Sequence, residues 1–336
     1  MKCIVSGATG FIGRKLCQQL KARGNVVIAL SRRGDVLGNG EPTLALDFTV
    51  NDPSEDLLCG VDVFFHLAGI AHQQAPESAY EVLNYRATER LAKLASAAGV
   101  RCFIFLSSVK AMGSPASLHL RSESECAVPS DPYGLSKWHA ERALQQAFAD
   151  DEMSVVILRP ALVYGPDVKG NLQAFSRGIR WGLPRPPNRG ARSMIAVEDL
   201  VALLCVIAQR PPVGVHLWIA CDAQSYSTQV IYDLMRKASG KGRGAGWLPH
   251  WAWWLGAQVL DMASGQQSGS TYEKLFGTEL YSSAAVLADT NWTPRVTLVH
   301  VIEDIISPRD ADSWQHWCLR FCCPPCCAEA TYGLPE

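Results

Sequence analysis

The chain has 336 residues, a formal net charge of −1 and an apolar share of 48%. That length allows a large buried core, in one two-lobed domain or two modest ones. Near-neutral charge, with no like-charge block, low-complexity tract or internal repeat, removes the electrostatic case for nucleic-acid binding.

The first half alternates strands and helices. "CIVSG" reads as a strand, Gly13 to Ala22 as a helix and "VVIAL" as a strand. "VDVFFHLAG" is a further strand with a polar stop. Tyr80 to Ala98 has helical periodicity and ends at Gly99, a suitable residue just past a helix end. "CFIFLSS" follows as a strand, Tyr133 to Phe148 as a helix, and "SVVILRPALVYG" as a strand running into a loop. Nearly continuous apolar strands alternating with helices predict an α/β fold, a doubly wound parallel sheet covered on both faces.

After Gly165 the pattern changes. "GPDVKGNLQAFSRGIRWGLPRPPNRG" is rich in Gly, Pro and Arg. "MIAVEDLVALLCVIAQ" returns to strand and helix, "GVHLWIAC" is one more core strand, and Ser227 to Ser239 is helical. Lys241 to Trp292 reads as irregular and aromatic. This predicts a nucleotide-binding lobe over 1–165, completed by about 190–226 and 298–306, and a smaller substrate lobe from 166–189 and 227–297. The groove between them is the expected ligand site.

No apolar leader precedes the first strand, so a cytoplasmic location is expected. "WLPHWAWWLGAQVLDMA" is Trp-rich but shorter than the ~20 residues of a bilayer span, and is expected as a buried or groove-lining helix rather than an integral membrane segment. Seven of the twelve cysteines are scattered, and they read as small buried hydrophobes of a reducing compartment. Cys318, Cys322, Cys323, Cys326 and Cys327 crowd the tail, 307–336, expected to be flexible. Cys323 and Cys326 form a C-x-x-C, but no second ligand pair sits at finger spacing, and no metal is assigned.

"SGATGFIG" places Gly7, Gly10 and Gly13 between the first strand and the first helix, a variant of the dinucleotide fingerprint. Gly7 permits the tight turn, Gly10 lets backbone approach a pyrophosphate, and Gly13 lets helix and strand pack closely. Phe11 and Ile12 complete the turn as cofactor-facing candidates. The second strand ends "ALSRRG". An acidic residue there would bond the ribose of NAD, and the sequence has Ser31 instead, followed by Arg32 and Arg33. Two guanidinium groups suit a 2′-phosphate, so NADP is favoured over NAD. Asp47, after the next strand, is a candidate for the adenine edge.

"DPYGLSKWHAE" sets Tyr133 and Lys137 at i, i+4 on one helix face. An ammonium near a phenol is expected to lower its pKa and make it an acid or base near neutral pH. "FIFLSSVKAMG" supplies Ser107 and Ser108 at a strand's C-terminal end, where open α/β sheets bind ligands.

Together these segments resemble the extended short-chain dehydrogenase/reductases, and within them the nucleotide-sugar epimerases, dehydratases and 4-keto reductases. The likeness spans about residues 2–306 and rests on "GATGFIG", "HLAG", "NYRAT", "LSSVKAMG", "YGLSK", "LRPALVYGP", "RSMIAVEDL" and "NWTP". The resemblance implies that Tyr133 is the acid/base, that Lys137 binds the nicotinamide ribose and tunes it, and that Ser108 faces the substrate. It further implies that Asn84 supports the site, that Leu67, Ala68, Gly69 and Pro160 line the cofactor, and that Asn171 and Arg192 hold the substrate diphosphate. A UDP-linked sugar and a homodimer follow by the same route. Met112 stands where the family has tyrosine, and Lys110 where a small hydroxyl residue is common, so the sugar pocket is expected to differ. The rival readings are a reductase of a non-sugar carbonyl, which has no use for Asn171 and Arg192, and a non-catalytic NADP-sensing protein, which has no use for the Tyr–Lys pair.

Overall fold

A computed structural model describes residues 1–71, 75–114, 119–166, 171–246, 248–265 and 268–306. Its strands are β1 (Lys2–Ser6), β2 (Val26–Ser31), β3 (Leu44–Ala45), β4 (Val63–His66), β5 (Cys102–Leu106), β6 (Ser154–Pro160), β7 (Leu162–Tyr164), β8 (Arg192–Ala196), β9 (Val215–Ala220) and β10 (Ser225–Tyr226). The helices are α1 (Phe11–Ala22), α2 (Glu55–Leu58), α3 (Glu77–Tyr80), α4 (Ala87–Ala97), α5 (Pro132–Ala147), α6 (Asn171–Arg180), α7 (Val197–Gln209), α8 (Thr228–Ala238), α9 (His250–Ser264), α10 (Ser270–Phe276), α11 (Ala284–Thr290) and α12 (Leu298–Ile306).

Seven strands form one parallel sheet in the order β3-β2-β1-β4-β5-β6-β9, a Rossmann-like arrangement. The order reverses between β1 and β4, and that switch point opens a crevice at the carboxyl ends of the strands. α1 and α7 cover one face, where Leu16, Leu20, Leu200 and Leu204 pack with Val5 and Ile104. α4 and α5 cover the other, where Leu91, Ala140 and Leu144 pack with Ile4, Phe64, Phe103 and Phe105. Burial of each such large side chain is worth about 1.5–3 kcal/mol, which explains why β4, β5 and β6 read as continuous apolar runs.

Two elements depart from the sequence expectation. "SVVILRPALVYG" is two strands, not one: β6 stays in the main sheet, while β7 pairs with β8 in a three-stranded sheet completed by β10. Pro160, which has no amide hydrogen, ends β6, and Ala161 N donates to Ala220 O as the chain leaves the sheet. The stretch from Lys241 to Trp292 is not irregular but carries α9, α10 and α11.

α9 is only partly buried. Trp253 and Ala257 are buried, with the Trp253 and Phe276 rings edge to face at 5.8 Å, but Trp251, Trp254, Leu255, Val259 and Met262 are exposed. No helix among the described residues is long and apolar enough to cross a membrane.

Cys3, Cys17, Cys102, Cys205 and Cys221 are buried free thiols, whereas Cys59 and Cys126 are exposed. Burial pushes the thiols of Cys3, Cys17 and Cys221 up to about 11 and that of Cys102 to about 12, which leaves them unreactive. The five tail cysteines lie outside the described residues.

Candidate active site

The glycine turn forms a backbone cradle at the switch point. Gly7 has φ +68°, and a Cβ there would lie 2.8 Å from Ala68 N. At Gly13 a Cβ would lie 2.2 Å from Gly7 O, and at Gly10 3.1 Å from the same oxygen. Gly10 caps α1 without a side-chain bond, which leaves the leading amides of Phe11, Ile12 and Gly13 for a ligand. Phe11 and Ile12 also pack their partly buried side chains onto the core beside α7. A pyrophosphate fits this cradle by charge and by space.

The loop after β4 borders the cradle. Leu67 N and Ala68 N both donate to Ser6 Oγ at 3.2 Å, and Gly69 is so close to α5 that a Cβ would meet Asn84 Oδ1 at 2.8 Å and Lys137 Nζ at 3.4 Å. At the end of β2, where an acidic selector is absent, the side chain of Ser31 is buried, bonded to Thr43 Oγ1 at 2.6 Å, and accepts from the amides of Gly34 and Asp35. It holds the turn, and Arg32 and Arg33 stand exposed after it. Neither arginine makes an ion pair among the described residues. Asp47 Oδ1 accepts from Thr49 N and Oγ1, and these bonds, with the charge of Arg32, hold its carboxyl below the usual range.

Tyr133 and Lys137 share the first turns of α5, whose N-cap Asp131 accepts from Gly134 N at 2.8 Å. The Tyr133 hydroxyl lies beside Ser108, and its ring lies 6.3 Å from that of Tyr80. Burial pushes the phenol up to about 12, against the pull of Ser108, which lowers it. The net shift is upward because burial outweighs every lowering influence, opposite to the lowering expected from a nearby ammonium. The lysine Nζ donates to Leu106 O at 2.9 Å and lies 4.5 Å over the Phe105 ring, and burial pulls it down to about 8. Lys137 Nζ thus faces the β5 end and Gly69, and burial favours the protonated form of the Tyr133 phenol.

The two serines after β5 divide their tasks. Ser108 caps the short 3-10 turn Val109–Met112 and meets Tyr133. Ser107 is buried and donates to Glu141 Oε1 at 2.5 Å. Glu141 in turn takes a two-pronged bond from Arg159 of β6, at 2.9 and 2.6 Å, with both side chains at most 3% exposed. Neither partner stands out in the sequence, where each reads as one charge in an ordinary helix or strand.

Asn84 is fully buried. Its Oδ1 accepts from Ile70 N, and its Nδ2 donates to Ile70 O and to Ser136 Oγ. It sits in a π-helical turn, Glu81–Arg86, between α3 and α4 where a plain α-helix was expected. Such widened turns often accompany functional sites.

On the substrate side the placements are mixed. Pro160 is buried at the carboxyl end of β6. Arg192 opens β8, and its Nη2 donates to Glu273 O at 2.6 Å. Its Nε is buried without a partner among the described residues, and burial pulls the guanidinium pKa down. Asn171 begins α6, and its side chain lies outside the described part. Of the two departures expected to touch the sugar pocket, Met112 does not: it is fully buried with Val109, Ile219 and Tyr281. Lys110 reaches across to the second lobe, where its Nζ pairs with Glu279 at 2.8 Å.

Behind β8, Asp222 accepts from Tyr164 OH at 2.6 Å while its Oδ1 is buried and unbonded among the described residues. Burial, reinforced by the charge of Asp199, pushes its carboxyl up from 3.8 to about 7. The folded chain then keeps a proton that the unfolded chain releases, so this group's stabilisation is complete below about pH 4 and is lost as pH rises to about 7. Asp222→Asn is expected to flatten the decline in Tm across that window. Equal slopes in variant and wild type would refute the assignment.

Comparison with known proteins finds relatives in sequence and in fold. Residues 3–220 match the model of the NAD dependent epimerase/dehydratase family. A UDP-glucose 4-epimerase of Vibrio cholerae is 28% identical over 307 residues, covering 88% of this chain and 91% of the relative. A UDP-2-acetamido-2,6-beta-L-arabino-hexul-4-ose reductase of Pseudomonas aeruginosa is 28% identical over 207 residues, covering 60% of this chain and 48% of the relative. Among solved structures, MoeE5 in complex with UDP-glucose and NAD superposes with a TM-score of 0.72 at 23% identity, covering 91% of this chain and 97% of that one. A UDP-glucuronic acid 4-epimerase from Bacillus cereus in complex with NAD gives 0.72 at 20%, covering 90% and 97%. The family match spans well over half of the chain, and the chain belongs to the NAD dependent epimerase/dehydratase family.

Proposed function

We propose that the chain transfers hydride at C4 of a nucleoside-diphosphate sugar, UDP-linked in the first instance, and works mainly as a 4-keto reductase. The observation that carries this reading is the gathering of Ser108, Tyr133 and Lys137 at the ends of β5 and α5, beside the glycine turn. When bound, the dinucleotide supplies the hydride to the ketone carbon. Tyr133 delivers its proton to the C4 oxygen, which becomes the alcohol, and Ser108 holds that oxygen during the transfer. Lys137 positions the nicotinamide ribose beside Gly69. The lobe formed by 166–189 and 227–297 receives the nucleotide, with Arg192 and Asn171 toward its diphosphate. Pairing of the helices at 77–97 with α5 in a second copy would give the homodimer.

Epimerisation at the same carbon is the second reading, supported by the Vibrio cholerae relative, which matches along most of its length. It uses the same groups with the proton first removed and then returned. NADP is preferred on this proposal because Arg32 and Arg33 stand exposed after the turn that Ser31 holds.

Purified protein mixed with UDP-4-keto sugars and NADPH decides between the readings. Net NADPH consumption marks the reductase, and interconversion of UDP-sugars without consumption marks the epimerase. Loss of both would refute the proposal. Arg32→Asp is expected to move preference from NADP toward NAD by about tenfold, one ion-pair's worth of affinity. An unmoved ratio would show that the arginines do not read the 2′-phosphate.

A further inference from the structure

The loop that runs from Leu67 to Ile70 is pinned at both ends. At its start, Ser6 Oγ accepts from Leu67 N and Ala68 N. At its end, Asn84 bonds both the N–H and the C=O of Ile70. His66 lies between the two anchors. Its Nδ1 is 2.9 Å from Ser6 Oγ and its Nε2 is 3.0 Å from Thr88 Oγ1. Thr88 Oγ1 donates onward to Asn84 O at 2.8 Å.

The proton bookkeeping of this chain has one solution. Ser6 oxygen already accepts two amides, so its own proton goes to Nδ1. The Thr88 proton goes to Asn84 O, so its oxygen accepts from Nε2–H. His66 is therefore the neutral Nε2–H tautomer. It is fully buried, stacks on Phe105 with centroids 5.9 Å apart, and is held neutral by burial and by the charge of Lys137, which bring its pKa down to about 3.

We infer that His66 is a positioning residue that joins the anchor on β1 to the anchor on the π-helical turn, so that the 67–70 loop is held as one rigid wall of the cofactor cradle. The inference rests on the proposed function insofar as the cradle takes a dinucleotide. It adds the residue that sets how well the cradle is formed before the cofactor arrives. A buried histidine serving packing alone needs no particular tautomer. Here every proton of Ser6, His66 and Thr88 has an acceptor, and the two ends of the chain are the two ends of one loop.

The test uses the full chain with NADPH and NADH as probes, titrated by quenching of tryptophan fluorescence. His66→Phe keeps a buried aromatic ring and removes both bonds. Thr88→Val keeps the shape and cuts the relay on the Asn84 side only. Each is expected to weaken dinucleotide binding about tenfold, the equivalent of one buried hydrogen bond, with the sugar KM within about twofold. The double variant is expected to bind no worse than His66→Phe, because both changes break one relay. His66→Gln, which can still donate to Thr88, is expected to recover part of the loss.

Wild-type affinity in either folded single variant, or additive losses in the double, would overturn the inference. If His66→Phe does not fold, the affinity of Thr88→Val decides alone. A wild-type chain that binds neither dinucleotide would overturn the cradle reading and this inference together, whereas wild-type binding with unaffected variants would overturn this inference only.

Discussion

Tyr133→Phe is expected to cut turnover by about a hundred- to ten-thousandfold, the range of a single general acid or base. Dinucleotide affinity should stay within about twofold, since the removed hydroxyl meets Ser108 rather than the glycine cradle. The size of the loss follows from the environment. Burial holds the phenol up at about 12, so the acid is fully protonated at neutral pH and lies beside the serine that would hold the substrate oxygen. Lys137 Nζ donates to Leu106 O. Steady-state kinetics with a 4-keto sugar, together with a binding titration, gives both numbers. A variant with more than about a tenth of wild-type turnover would remove Tyr133 from the proton-transfer role.

The second large effect is on stability. Arg159→Met leaves the buried Glu141 without its guanidinium partner, with Ser107 as its remaining bond among the described residues. Breaking a buried pair by removing one partner costs about 3–5 kcal/mol, which in a chain of this size lowers Tm by on the order of 10 °C. Glu141→Leu combined with Arg159→Met removes both charges and is expected to be less destabilising than either change alone. Thermal unfolding of the three variants checks this. A single variant within about 1 kcal/mol of wild type, by chemical denaturation, would mean that the carboxylate finds other partners. Because Ser107 is tied to this pair and Ser108 follows it directly, the single variants are also expected to lose activity.

What could be read beforehand was carried by strong local signals. The strand and helix pattern of residues 2–165 follows from apolar periodicity, and the glycine turn and Tyr133–Lys137 follow from spacing. The two serines of "FIFLSS" read alike in the sequence, and their different neighbours, Tyr133 for Ser108 and Glu141 for Ser107, come from the fold. The pieces that were missed depend on long-range contacts. That Ser31 is tied into a turn is decided by Thr43, twelve residues away, and by the amides that follow. The sign of the Tyr133 shift depends on how deeply α5 beds against β5, which no i, i+4 spacing encodes. The helices of 241–292 escaped because α9 lacks the polar face that marks an amphipathic helix, and the seven-residue α10 and α11 are too short to show a period. The break of "SVVILRPALVYG" into two sheets was signalled by Pro160, although only the ladder to Ala220 shows where it takes effect.

The π-helical turn at 81–86 also bears on how this stretch tolerates a change in length. One residue of helix corresponds to about 100° of rotation. The wide turn holds one residue more than an α-helical turn, so deleting a single position such as Val82 can restore a regular helix rather than break it. The price of that regularity is phase. With α4 fixed by Leu91 and Ala95 in the core, the shortened helix turns everything on its N-terminal side through about a quarter of a circle. Tyr80, whose ring now stands 6.3 Å from that of Tyr133, would swing off the site while the helix itself gained order. A one-residue deletion here is therefore expected to separate helicity from activity, raising the first and abolishing the second.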